Sequence, residues 1–294
     1  MISFLYSIGL GFLGAVFGSF AGAQVWRLRA RQIVQDKKEG EPYDKSEHAR
    51  LKGLVGRSQA KDRSQCLSCG HVLSWQDMVP VFSWLALKGE CRYCKRSIGR
   101  FELVLELLTA AIFAASYLLW PFGLDSLTEW GMFGLWLAII VIMVILAVYD
   151  FKWQLLPDAV NFTFIGLSLA FLVYRWWLHP GQFDILSILG SLGFLSGVYA
   201  VLYVVSKGAW IGFGDIKLGI GLGLLLGEWS LAFVALFLAN LIGVMLVLPG
   251  LLNKSLDGKS RIAFGPLLIV GTLLSFWFGR FFIEWLLGQS VLLV

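Results

Sequence analysis

Apolar residues fill this chain in long runs, near residues 5–26, 101–120, 131–149, 159–178, 185–206, 213–227, 230–252 and 264–288. Most of the runs reach about 18 residues, the length a helix needs to cross a bilayer. The pattern predicts an all-α polytopic membrane protein with about eight transmembrane helices, because a helix satisfies its own backbone in lipid. The sixth run is short and carries Gly219, Gly221, Gly223 and Gly227, as expected of a helix packed closely among others.

One polar stretch, Arg27 to Arg100, interrupts the pattern and holds about two thirds of the Lys and Arg. It divides the chain into a first membrane helix (1–26), a cytoplasmic charged arm with a cysteine lobe (27–100), and a seven-helix membrane domain (101–294). Gln32 to Arg63 mixes both charges with few apolar residues and reads as a weakly ordered arm. From Cys66 to Ile98, residues Trp75, Val79, Val81, Phe82, Trp84 and Leu85 supply a small core.

Composition agrees with the pattern: of 294 residues 58% are hydrophobic and 15% charged, with a mean hydropathy of +0.76. The net charge of +5 and pI near 9.0 do not point to nucleic acid. The basic residues crowd one loop without an aromatic-basic stripe, as the positive-inside rule expects. Leu5 to Trp26 lacks a basic segment before it and has Arg27, Arg29 and Arg31 after it. It therefore reads as a retained helix with its N-terminus outside. The turns at Lys152, Lys207, Lys217 and Lys254–Lys259–Arg261 then fall inside, whereas those at Asp125–Glu129, Asp184 and Glu228 fall outside. Arg175 and Arg280 are exceptions near or within spans. On this count Asp150, Asp158 and Asp215 share the cytoplasmic side with the cysteine lobe.

Cys66-Leu-Ser-Cys69 and Cys91-Arg-Tyr-Cys94 are paired C-x-x-C knuckles, the spacing that offers four thiolates to one Zn²⁺. Two disulfides or four free thiols are the alternatives, and a cytoplasmic placement disfavours disulfides. His71 is a rival ligand. A four-thiolate site is closed, so such a metal staples rather than catalyses.

Among the carboxylates, Glu102 and Glu106 share a helix face at i, i+4 and read as anchors beside the lobe. Asp150 closes the third apolar run, and Asp215 stands in Gly212-Phe-Gly-Asp-Ile-Lys217 at the start of the sixth. An acid at the edge of hydrocarbon is a functional candidate by default. Ion pairing with Lys152 or Lys217 is the plain alternative. If the two meet, they share one proton and supply the base and acid that hydrolysis of a peptide requires. Nucleophile-histidine machinery does not fit, because His48, His71 and His179 lie in polar segments or outside, and zinc-protease helices are absent from the sequence.

The ordered set of Gly18-Ser-Phe20, the two knuckles, Trp75-Gln-Asp-Met-Val-Pro80 and Ser83 through Cys94 resembles the prepilin peptidases, the type IV leader peptidases of bacteria. Glu102, Glu106, Asp150 through Leu156-Pro-Asp158, Gly212 through Lys217 and Ala263-Phe-Gly-Pro266 extend the likeness along nearly the whole chain. That family is similar to presenilin and signal peptide peptidase in pairing a membrane aspartate with a Gly-x-Gly-Asp aspartate. The resemblance implies catalytic Asp150 and Asp215, supported by Asp158 (the alternative to Asp150 in the pair), Gly212, Gly214 and Lys217, with zinc on Cys66, Cys69, Cys91 and Cys94. It implies a prepilin or pseudopilin substrate in the inner membrane, cut at the cytoplasmic face. It also implies methylation of the new N-terminus with S-adenosylmethionine, whose binding residues the sequence leaves unknown. A leader peptidase without methyl transfer, a zinc-lobed anchor for an assembly system, an intramembrane protease and a transporter are the rival readings.

Overall fold

The computed structural model describes residues 2–55, 63–181, 184–253 and 262–287. All regular elements among them are helical: α1 (Ile2–Glu39), α2 (Lys45–Leu51), α3 (Phe82–Ala86), α4 (Phe101–Leu118), α5 (Leu127–Trp153), α6 (Asp158–Leu178), α7 (Ile185–Leu192), α8 (Val198–Ser206), α9 (Phe213–Leu226), α10 (Trp229–Leu252) and α11 (Gly265–Leu287). A π-helical turn, Gly193–Gly197, joins α7 to α8 as one span. Seven of the described helices are long and apolar enough to cross a membrane. The eighth expected span, α9, has only 14 residues. At about 1.5 Å per residue it falls short of the roughly 30 Å hydrocarbon layer. The basic run Lys254–Lys259–Arg261 lies outside the described residues.

By packing, the chain divides into two units, Met1–Leu119 and Trp120–Val294. In the first, α1 lies along α4, and the backbones close at Gly14 and Gly18, where an added Cβ would lie 2.7 Å from the Thr109 carbonyl oxygen and 2.8 Å from Glu106 Cα. The expected weakly ordered arm is different in its first part. Helix α1 continues well past Trp26 to Glu39, and α2 follows it. The reason is a small satellite core: Ala30 and Ile33 of α1 bury against Leu51, with Trp26, Tyr43 and Leu54 packed around them. Asp44 caps α2 by accepting from the N–H groups of Ser46 and Glu47, and Arg29 pairs with Glu47 at 2.8 Å. Sparse apolar residues sufficed because they fall on one helix face. Residues 56–62 of the predicted arm lie outside the described residues.

In the second unit the short helix α9 is the centre. It packs on α6, the π turn, α7, α8, α10 and α11, and buries Ile216, Leu218, Leu222, Leu225 and Leu226. At Gly219 the approach is closest: an added Cβ would lie 1.9 Å from the Leu195 carbonyl oxygen. Two hydroxyls of the neighbouring span bind α9 carbonyls, Ser196 to Ile216 at 3.0 Å and Ser191 to Gly223 at 2.9 Å. At the far end, Gly227 takes the left-handed conformation that stops α9, and buried Arg175 donates to the Leu226 carbonyl at 2.9 Å. A cation at a helix C-terminus complements its dipole. Aromatic stacking of Trp136 on Phe276, centroids 3.9 Å apart, ties α5 to α11.

This packing predicts a sharp contrast between glycines. Gly219→Ala should destabilise the purified protein by about 1–3 kcal/mol through overpacking. Gly134→Ala and Gly166→Ala, which meet nothing within 4 Å, should be close to neutral. Thermal unfolding in detergent measures the difference.

Candidate active site and metal centre

Asp215 is the third residue of α9, and Gly212, in extended backbone, caps that helix. The Gly212 N–H donates to Asp215 Oδ2 at 3.2 Å, so the carboxylate folds back over the first turn. The start of a helix leaves N–H groups unsatisfied and favours negative charge there. Gly214 lies against Leu156, and its carbonyl accepts from Asn161 Nδ2 at 3.3 Å.

Asp150 stands in the last turn of α5 and is 5% exposed. Its Oδ2 accepts from the Gly265 N–H at 2.9 Å, where α11 begins. A Cβ at residue 265 would sit 2.7 Å from that oxygen, so a glycine is needed for the contact. Both aspartates thus have one carboxylate oxygen fixed by a backbone amide at a helix start. The charge of Asp215 acts on Asp150, and it acts also on Tyr199 of α8. Tyr199 is buried and packs on Phe264 at 5.6 Å between centroids.

Asp158 opens α6 and is exposed; it pairs with Lys217 at 2.5 Å. The Lys217 ammonium also lies over Phe213 at 4.9 Å and Phe162 at 5.3 Å. Asp158 therefore occupies the lysine that the sequence offered as a partner for Asp215. Three residues near the aspartates carry no sequence signal of their own: Tyr199, Gly265 and fully buried Asn161. Gly265 falls within Ala263-Phe-Gly-Pro266, which marks it only by resemblance. Tyr199 and Asn161 look like ordinary members of apolar helices.

In the first unit the two knuckles fold alike. The Cys66 N–H donates to the His71 carbonyl and the Cys91 N–H to the Arg96 carbonyl, both at 2.9 Å. Each turn closes with a residue at positive φ, Gly70 at 70° and Lys95 at 57°. The four Sγ atoms lie within 4.8 Å of one another, with Cys66 and Cys94 at 4.0 Å. A tetrahedral zinc with bonds near 2.3 Å sets sulfurs about 3.8 Å apart, so the donor set fits. Burial pushes the Cys66 thiol up to about 11. Burial also opposes ionisation of Cys91, but the N–H groups of Cys94 and Tyr93 hold it down at about 7. His71 stacks on Tyr93, centroids 3.6 Å apart, and is no part of the sulfur cluster.

Two carboxylates brace the lobe. The Asp77 side chain is only 4% exposed, yet hydrogen bonds from Arg92 and Ser74 outweigh that burial and hold it at about 2. Buried Glu106 of α4 accepts from the Val81 N–H at 2.7 Å. Val81 has φ of 62°, a strained conformation for a β-branched residue that this bond helps to hold.

Comparisons with known proteins agree over most of the chain. Residues 12–120 match the bacterial peptidase A24 N-terminal domain, and residues 137–248 match the type IV leader peptidase family. The chain is 28% identical to a prepilin leader peptidase/N-methyltransferase of Pectobacterium carotovorum, covering 89% of each chain. It is 29% identical to one of Bacillus subtilis, over 77% of this chain and 87% of that one. It is 30% identical to a type 4 prepilin-like proteins leader peptide-processing enzyme of Escherichia coli, covering 88% of each. No solved structure matches the chain.

Metal removal gives a direct check on the lobe. One zinc per chain is expected by elemental analysis, lost on Cys91→Ser or on strong chelation. Loss should open residues 63–100 to protease while helix content in the second unit stays as it was. Binding energy of a structural zinc is folding energy for a lobe this small.

Proposed function

The chain belongs to the type IV leader peptidase family, and from that premise we propose a membrane aspartic endopeptidase that removes the leader of type IV prepilins or pseudopilins and methylates the new N-terminal residue. It is an inner-membrane protein, by its apolar helices and its relatives. Its N-terminus faces outward, and the cysteine lobe and both aspartates face the cytoplasm, a placement supported by the crowding of Lys and Arg in the loops. Lipid surrounds it, and nucleic acid is not a partner.

The observation that carries the reading is the pair Asp150 and Asp215. They come from different helices, the charge of Asp215 acts on Asp150, and each has Oδ2 held by a backbone N–H. That leaves Oδ1 of each to meet water and the scissile peptide. One carboxylate, ionised, takes a proton from the attacking water. The other, protonated, gives its proton to the departing amine nitrogen. Close carboxylates reach this state readily because they cannot both ionise easily.

Asp158 and Lys217 support the site as an ion pair beside it, and Gly212 and Gly214 shape the loop that aims Asp215. Zinc on Cys66, Cys69, Cys91 and Cys94 holds the lobe in shape and takes no part in hydrolysis. S-adenosylmethionine supplies the methyl group. The peptidase residues lie in 101–294, and the cytoplasmic arm and lobe in 27–100.

Intact-mass analysis of a co-expressed prepilin tests the reading. With the wild type the leader is lost and one methyl mass is gained. Asp150→Asn and Asp215→Asn should each slow leader loss by at least about 100-fold, the scale of general acid–base catalysis. Asp158→Asn should retain most of it. Full cleavage by both Asp150→Asn and Asp215→Asn would sink the pair, and cleavage without methyl mass would remove the transferase.

A further inference from the structure

The first unit holds a cleft of about 200 Å³, formed by α1, α2, α4 and the cysteine lobe. All of its lining residues precede Leu119, and none belongs to the aspartate site. Its lining combines three kinds of group. Trp26 and Trp84 offer indole surface, Glu102 and Glu106 offer carboxylates, and Arg50 offers a guanidinium.

Glu102 is the informative residue. Its Oε1 accepts from Trp26 Nε1 at 3.4 Å, whereas its Oε2 is shielded from solvent and has no hydrogen-bond partner. A carboxylate oxygen buried in that state lacks the donors that water would give it. A ligand carrying positive charge or N–H groups restores them. Trp26 already attracts a cation on its face, since the Arg50 guanidinium lies 5.2 Å from the ring centroid. Electron-rich indole faces bind sulfonium and ammonium groups by the same attraction. Glu106 is already bonded to the Val81 N–H, so Glu102 is the acceptor with capacity to spare.

A ligand fitting this set has a cation for Glu102 and Trp26, a carboxylate for Arg50, and a flat ring for an indole. We infer that the cleft binds the methyl donor: an adenosyl amino acid bearing a sulfonium, seated between Trp26, Glu102 and Arg50. This rests on the methyl-transfer reading and gives it a place in the chain. Glu102 and Trp26 are thereby assigned to donor binding and not to peptide hydrolysis. For the transfer itself, the substrate's neutral N-terminal amine gives its lone pair to the methyl carbon. The sulfur–carbon pair stays on sulfur, and the amine's proton leaves to water.

The test is direct binding, independent of turnover. Zinc-loaded full-length protein in detergent is titrated calorimetrically with S-adenosylmethionine, as wild type, Glu102→Gln and Ala23→Phe. Ala23 lines the cleft from α1, so the larger ring fills it without touching a charge. The wild type should bind, and each variant should bind at least tenfold more weakly while keeping zinc and the wild-type elution volume. Should one variant misfold, the other still decides. If the wild type binds and the folded variants bind equally well, the donor sits elsewhere and the assignment is overturned, with methyl transfer untouched. If the wild type neither binds the donor nor adds a methyl to co-expressed prepilin, the methyl-transfer reading falls and the site falls with it.

Discussion

Two carboxylates can be kept in an apolar helical bundle only where something polar holds them. Here that is a backbone amide for each: Gly212 N–H for Asp215 and Gly265 N–H for Asp150. Both amides stand at the start of a helix, α9 or α11, where N–H groups have no partner within the helix. The carboxylates and the helix starts therefore satisfy one another. Much else in the second unit serves this contact. Gly265 must lack a Cβ for Asp150 to approach, and α9 must be short enough to begin within the bundle.

That shortness has its own cost, because α9 ends inside the unit as well as beginning there. Arg175 meets the Leu226 carbonyl at one end, and the serines of the π-turned span meet carbonyls along its side. A π turn is an uncommon element that often marks functional sites. Here it offers Ser196 to Ile216 one residue after Asp215, and presents the Leu195 carbonyl against Gly219. Asp215 thus sits on a helix fixed at its start, its flank and its end. A rigid mounting of this kind suits the catalytic role proposed for Asp215.

The helices were legible in the sequence because lipid imposes one pattern, long apolar runs, and the runs map onto helices throughout. Their ends were less legible. Helix α1 runs on to Glu39 because Ala30 and Ile33 find Leu51, a tertiary contact that no local pattern announces. The 14-residue length of α9 was visible as a short glycine-rich run, but its central position depends on six neighbouring segments. Asp150, Asp215 and the four cysteines stood out because charge in apolar runs and C-x-x-C spacing are rare by chance. Tyr199 and Asn161 did not, and Gly265 did so only through the resemblance, since their importance lies in what other helices bring to them. The same holds for the cleft at Glu102: two acids at i, i+4 look like anchors, and only packing shows that one oxygen is left without a donor.

The proposed hydrolysis requires Asp150 and Asp215 to act as one device. A double-mutant cycle on the leader-cleavage rate asks that question most directly. If the two share a proton, the variant carrying both Asp150→Asn and Asp215→Asn should be no slower than either single variant, as residues of one catalytic unit behave. Losses that multiply, or a loss confined to one aspartate, would contradict the shared-proton pair.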